Sequence, residues 1–159
     1  MNSYFYPTES GWFDVLLGEW MNSGKRTLAF PFLNTFPHTL AKSAPRHFWM
    51  YLYFTGEKTS IQELRRTVPY RVRVVRWSRS AISGEHVHTH DVYEEQATIW
   101  FECDLAQELR TPAGVFLTDQ DFKHVQDREL LSSIRNSIAP VKRVAPLVVV
   151  QATGWWLQD

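Results

Sequence analysis

The chain has one cysteine, Cys103, in 159 residues. A disulfide framework and a CxxC metal pair are thereby excluded, and a reducing compartment is the simpler expectation. Long apolar runs are missing as well: none approaches the ~20 residues that span a bilayer, and the opening MNSYFYPTES lacks a basic stretch followed by an apolar one. A soluble, cytoplasmic protein with no membrane partner is the resulting expectation. Net charge is also absent, because 17 Lys and Arg balance 17 Asp and Glu. No overall field draws such a chain onto nucleic acid, so binding of that kind has to come from a local patch. Internal repeats, linkers and low-complexity tracts are lacking. So are a GxSxG serine, a P-loop and a Cys/His pair in a supporting context, which removes the usual nucleophilic and nucleotide-cleaving signatures.

What the chain does have is apolar and aromatic side chains, 44% and 14% of its residues. That suffices for a sizeable core in one domain spanning residues 1–159. SGWFDVLLGEWM (10–21) sets Trp12, Leu16 and Trp20 four apart behind Ser10, predicting a short amphipathic helix. RTLAFPF (26–32) predicts a strand broken by Pro31, and LNTFPHTLAKSAP (33–45) a loop. RHFWMYLYF (46–54) is apolar or aromatic on both faces, as in a central strand buried on both sides. TSIQELRR (59–66) places Ser60 and Glu63 at capping-box spacing, predicting a short helix that ends near Pro69. DRELLSSIRNSI (127–138) has the helical period and a cap at Asp127, and VKRVAPLVVVQATGWWL (141–157) reads as strand interrupted at Pro146. The sum is five to seven strands and three short helices.

Two segments alternate strictly: YRVRVVRW (70–77) and TIWFECDL (98–105). Antiparallel pairing with Val74 opposite Cys103 sets Val72 against Leu105 on the core face, and matches Arg73 with Asp104 and Trp77 with Trp100 on the other. Cross-strand charge and aromatic pairs contribute roughly 0.2–1 kcal/mol each. The connection, Ser78 to Ala97, is 20 residues. Loops of that length in compact domains are disproportionately functional or disordered.

Charge is laid out in blocks. Arg65, Arg66, Arg71, Arg73, Arg76 and Arg79 lie between Leu64 and Gly84 with no acid among them, whereas Glu85 to Glu129 holds eleven acids against Arg110, Lys123 and Arg128. The blocks either neutralise each other across strands or mark a binding surface. In the second reading Arg71, Arg73, Arg76 and Arg79 contact phosphates. Trp77 and Trp100, on the polar faces of their strands, then stack on bases. A covering helix is the structural explanation of the same two tryptophans.

GEHVHTHDVYEE (84–95) carries three alternate histidines. On a strand, alternate residues are roughly 6.8 Å apart. His86 and His90 therefore lie about 13 Å apart, while donors to one zinc ion must converge to about 3.5 Å. A single divalent ion can thus take two neighbouring histidines and Glu94. His88, His90 and Glu94 form HxHxxxE, which resembles the first metal motif of the cupin barrels and implies a metal-dependent enzyme. The cupin glycines are Ile82 and Phe101 here, and Leu117 stands where the second motif supplies a histidine.

The succession RHFWMYLYF, YRVRVVRW, a long loop, TIWFECDL and a late strand, interleaved with short helices, resembles the PUA-like superfamily of small pseudo-barrels. That resemblance rests on residues 46–150. It implies a β-rich α+β fold whose mixed or antiparallel sheet curls into a pseudo-barrel with short flanking helices. Its EVE and ASCH modules bind RNA or DNA, and some relatives hold a modified base in an aromatic pocket. The leading expectation is therefore a non-enzymatic nucleic-acid-binding module without a cofactor, reading a modified or flipped base. The alternatives are a cupin-like metal enzyme, and a protein-interaction or inhibitor protein presenting an aromatic surface.

Overall fold

The computed structural model describes residues 2–8, 12–32, 47–54, 62–78, 86–87, 99–122, 142–144 and 151–154. Along the chain these form β1 (Asn2–Thr8), α1 (Trp12–Ser23), β2 (Leu28–Phe32), β3 (Phe48–Phe54), β4 (Thr67–Ser78), β5 (His86–Val87), β6 (Ile99–Arg110), β7 (Lys142–Val144) and β8 (Gln151–Gly154). Two short 3-10 turns occupy Gln62–Leu64 and Asp119–Asp121. The strands make one sheet in the order β5, β2, β6, β4, β3, β1, β7, with β8 also paired to β6. Five of them, from β2 to β1, form its body. β1 with β3 and β2 with β5 run parallel, and the other pairs are antiparallel, so the fold is a β-rich α+β arrangement with a mixed sheet. Among the described residues the sheet is open, ending at β5 and β7. No helix of the described residues is long and apolar enough to cross a membrane.

Strand β3 explains why there are two cores. Alternation sends Phe48, Met50, Leu52 and Phe54 to one face of the sheet and Trp49, Tyr51 and Tyr53 to the other. The first set joins Tyr4, Tyr6, Phe30, Val72, Val74, Phe101 and the buried side of α1, namely Leu16, Leu17 and Trp20. The second joins Phe5, Val68, Leu109, Leu117 and Phe122. Burial on both faces, as RHFWMYLYF requires, is thus observed. Helix α1 stops at Gly24, whose φ of +66° favours a residue without Cβ. There Trp20 Nε1–H donates to the Lys25 carbonyl at 2.8 Å, satisfying the one polar atom of a fully buried indole.

The register of β4 against β6 departs from simple alternation. Tyr70 pairs with Glu108, Val72 with Ala106 and Arg73 with Leu105; Val74 then meets Cys103, and Arg76, Trp77 and Ser78 meet Glu102, Phe101 and Trp100. Asp104 is therefore an extra residue on β6 and Val75 an extra residue on β4. The two bulges compensate, and the pairing on either side of them differs by one residue from the strictly alternating register. Only Val74 opposite Cys103, between the bulges, keeps the alternating match. Trp77 consequently faces Phe101 rather than Trp100, and packs half-buried against the helix-side core.

Other differences are local. β1 was not anticipated from the sequence, although Tyr4, Phe5 and Tyr6 are strong strand formers. β2 runs through Pro31, which an edge-proximal strand tolerates: beyond Ala29, nothing among the described residues pairs on its outer side. Of the helix expected over 59–66, the described residues 62–66 hold the 3-10 turn Gln62–Leu64, and β4 starts at Thr67. β6 extends to Arg110, past the expected end at Leu105. The loop over 33–45, the helix over 127–138 and the LVVV run lie outside the described residues.

Candidate nucleic-acid interface

β4 lies between β3 and β6, so its second-face side chains sit in the middle of the sheet. Tyr51, Arg71 and Gln107 share one cross-strand row, with Phe5 beside Tyr51; Trp49, Arg73 and Leu105 share the next. Arg71 leans across both rows. Its guanidinium carbon stands 4.0 Å from the centre of the Trp49 ring and 5.9 Å from that of Tyr51. Nε donates to Gln107 Oε1 at 2.6 Å and Nη1 to the Tyr51 hydroxyl at 3.1 Å. These contacts from β3 and β6 hold the guanidinium over the indole. Both Trp49 and Arg71 remain partly accessible.

The neighbouring arginines are neutralised. Arg73 makes a two-point pair with Asp104, Nε to Oδ1 at 2.7 Å and Nη2 to Oδ2 at 2.8 Å. Those hydrogen bonds raise the Arg73 pKa above its ordinary value against the opposing effect of burial. Asp104 reaches Arg73 because it is the bulge residue. Further along, Arg76 Nη2 donates to Glu102 Oε2 at 2.6 Å. The basic and acidic blocks of the sequence therefore meet across β4 and β6. Their expected pairing of Arg73 with Asp104 holds through the side chains, while the backbone register puts Leu105 opposite Arg73.

Of the expected contact residues, Arg71, Arg73 and Arg76 thus lie on one strand, each with a side-chain partner. Trp77 packs against the core, and Trp100 keeps 3% of its surface exposed. The structure does not bring these two tryptophans together on one face. Arg79, His88, His90 and Glu94 fall outside the described residues. Of the histidine segment only β5 is described, pairing parallel to Leu28 and Ala29 of β2. Among the described residues no three metal-ligating side chains cluster. Cys103 is buried, and burial, with Asp104 and Glu102 adding to it, pushes its thiol pKa well up, which makes it a poor nucleophile.

Trp49, Tyr51 and Gln107 were not singled out from the sequence, yet a signal existed. Within FWMYLYF one alternate set is Phe, Met, Leu and Phe, while the other is Trp, Tyr and Tyr. Aromatics with a polar edge on one side only indicate a face that meets polar groups. No protein-family model matches the chain, and no curated protein or solved structure shows significant similarity to it.

Proposed function

We propose that the chain is a non-enzymatic module that binds single-stranded nucleic acid, RNA or DNA, on the Trp49 and Arg71 face of its sheet. One observation carries the reading: a guanidinium held 4.0 Å from the centre of a partly exposed indole by Gln107 and Tyr51. Sheet faces that bind single strands offer aromatic and arginine planes for stacking bases, with cations at hand for phosphates. The stacking role falls to Trp49, with Arg71 as the adjoining cation; Trp100 and Trp77 are structural in this reading. An unstacked, modified or flipped base is the natural occupant of such a platform.

The corresponding fold is a PUA-like pseudo-barrel. Bulges bend and twist the strands that carry them, and β4 and β6 each hold one. On the edge away from β4, β6 is also shared between β2 over its first half and β8 over its last residues. A long strand with changing partners is how a sheet begins to curl.

The test is titration of single- and double-stranded oligonucleotides at low and moderate salt. Single strands are expected to bind, with Trp49→Ala costing about 1–3 kcal/mol, the range for loss of one base–aromatic stack. Arg71→Ala should weaken binding and lower its salt dependence. Absence of salt-dependent binding to either form sinks the proposal.

A further inference from the structure

The turn between Gln62–Leu64 and β4 contains the one non-glycine residue with positive φ among the described residues, Arg66 at φ 59°. The conformation is imposed by its surroundings. Arg66 N–H donates to the Phe54 carbonyl at 2.7 Å, Arg65 N–H to the Gln62 carbonyl at 3.2 Å, and Thr67 Oγ1–H to the Leu64 carbonyl at 2.8 Å. Together they close β3 onto β4. At such a position the Cβ is a steric cost, and glycine fits without it.

Arg71, Arg73, Arg76 and Arg110 all engage a side-chain partner, but the Arg66 guanidinium has none among the described residues and is exposed. A strained backbone carrying an exposed cation with no partner among the described residues fits a ligand better than a scaffold. Resting on the nucleic-acid reading above, we propose that Arg66 is a second phosphate contact, holding the strand whose base stacks on Trp49. Arg71 is the fifth residue after Arg66; at ~3.3 Å per residue that is roughly 17 Å, a span of a few nucleotides. Site sizes of about 4–16 nucleotides are ordinary for single-strand binders.

Arg66→Gly and Arg66→Lys, with Trp49→Ala alongside, test this in the full chain by melting temperature and by affinity for a single-stranded oligonucleotide across a salt series. Arg66→Gly is expected to melt roughly 1–3 °C higher, because strain is relieved. It should nonetheless bind about 3- to 10-fold more weakly, with the slope of log K against log salt reduced by about 0.7, the loss of one phosphate contact to a single strand. Arg66→Lys keeps the charge and the strain, so affinity stays within about twofold of the original and the melting temperature does not rise. Unchanged affinity and slope in Arg66→Gly overturn the inference. If Trp49→Ala weakens binding while Arg66→Gly does not, only Arg66 is refuted; if the unmodified chain binds no oligonucleotide, both readings fall.

Discussion

Asp104 and Cys103 are adjacent on β6 and face opposite sides of the sheet, one serving a salt bridge and the other the core. The bridge to Arg73 has good geometry, but both side chains are about one-third exposed (36% and 31%), so its contribution is on the order of 1 kcal/mol or less after screening. Cys103 gives a sharper expectation. Its thiol pKa is raised in the folded state, chiefly by burial and then by Asp104 and Glu102. The folded chain therefore keeps a proton that the unfolded chain releases above about pH 8.5. Stability from this residue is complete below that pH and is lost as pH rises. In denaturation series from pH 7 to 10, the original chain should lose up to about 1.4 kcal/mol per pH unit more than Cys103→Ala above the unfolded thiol pKa. Parallel stability curves for the two would refute it. The buried, unreactive state of Cys103 was legible from its place in TIWFECDL. The service of Asp104 to Arg73 was legible as a charge match, but not as a bulge.

Strands were readable where apolar side chains alternate, and the errors lie where alternation breaks. In YRVRVVRW the apolar positions Tyr70, Val72 and Val74 continue at Trp77, three residues on, and in TIWFECDLAQEL the sequence Phe101, Cys103 continues at Ala106. Each break is a bulge, and because the breaks oppose each other the net register hides them. Strict alternation places Trp77 on the polar face, whereas it packs half-buried against the helix-side core. β1 carries Pro7 after its aromatic triplet, a position acceptable in a strand whose pairing with β7, among the described residues, covers Ser3 to Phe5. Deleting Val75 tests the bulge account. Val75 has no partner of its own on β6, so without it Val74 and Trp77 stand two apart, both keep the core face, and Arg76, Trp77 and Ser78 stay opposite Glu102, Phe101 and Trp100. The deletion should therefore cost only about 1 kcal/mol, as an ordinary single change does. In a bulge-free strand the same deletion exchanges the faces of all following side chains. A loss approaching the ~3–5 kcal/mol of removing a large buried aromatic, read from denaturation midpoints, would contradict the two-bulge register.

At the scale of the molecule, charge neutrality carries through to the pairing of β4 with β6. The arginine block that suggested a phosphate-binding strand is met by Asp104 and Glu102 on the neighbouring strand, so Arg73 and Arg76 are occupied by ion pairs, while Arg110 pairs with Glu108 within β6. Sequence alone left these two outcomes open, because the same block suits both and only the strand pairing decides between them. The consequence for binding is quantitative. Single strands give a slope near −0.7 per phosphate neutralised, so contacts by Arg66 and Arg71 alone predict about −1.4 in log K against log salt, whereas four free arginines would give about −2.8. Between 50 and 200 mM salt the affinity should then fall about sevenfold rather than about fiftyfold. A slope near −1.4 for an oligonucleotide that also requires Trp49 fits a stacking platform with two phosphate contacts. A slope twice as steep would mean that Asp104 and Glu102 release their arginines to the ligand. In that case Asp104→Asn, which frees Arg73 without ligand, should tighten binding; if the ion pairs persist in the complex, it should leave the slope where it is.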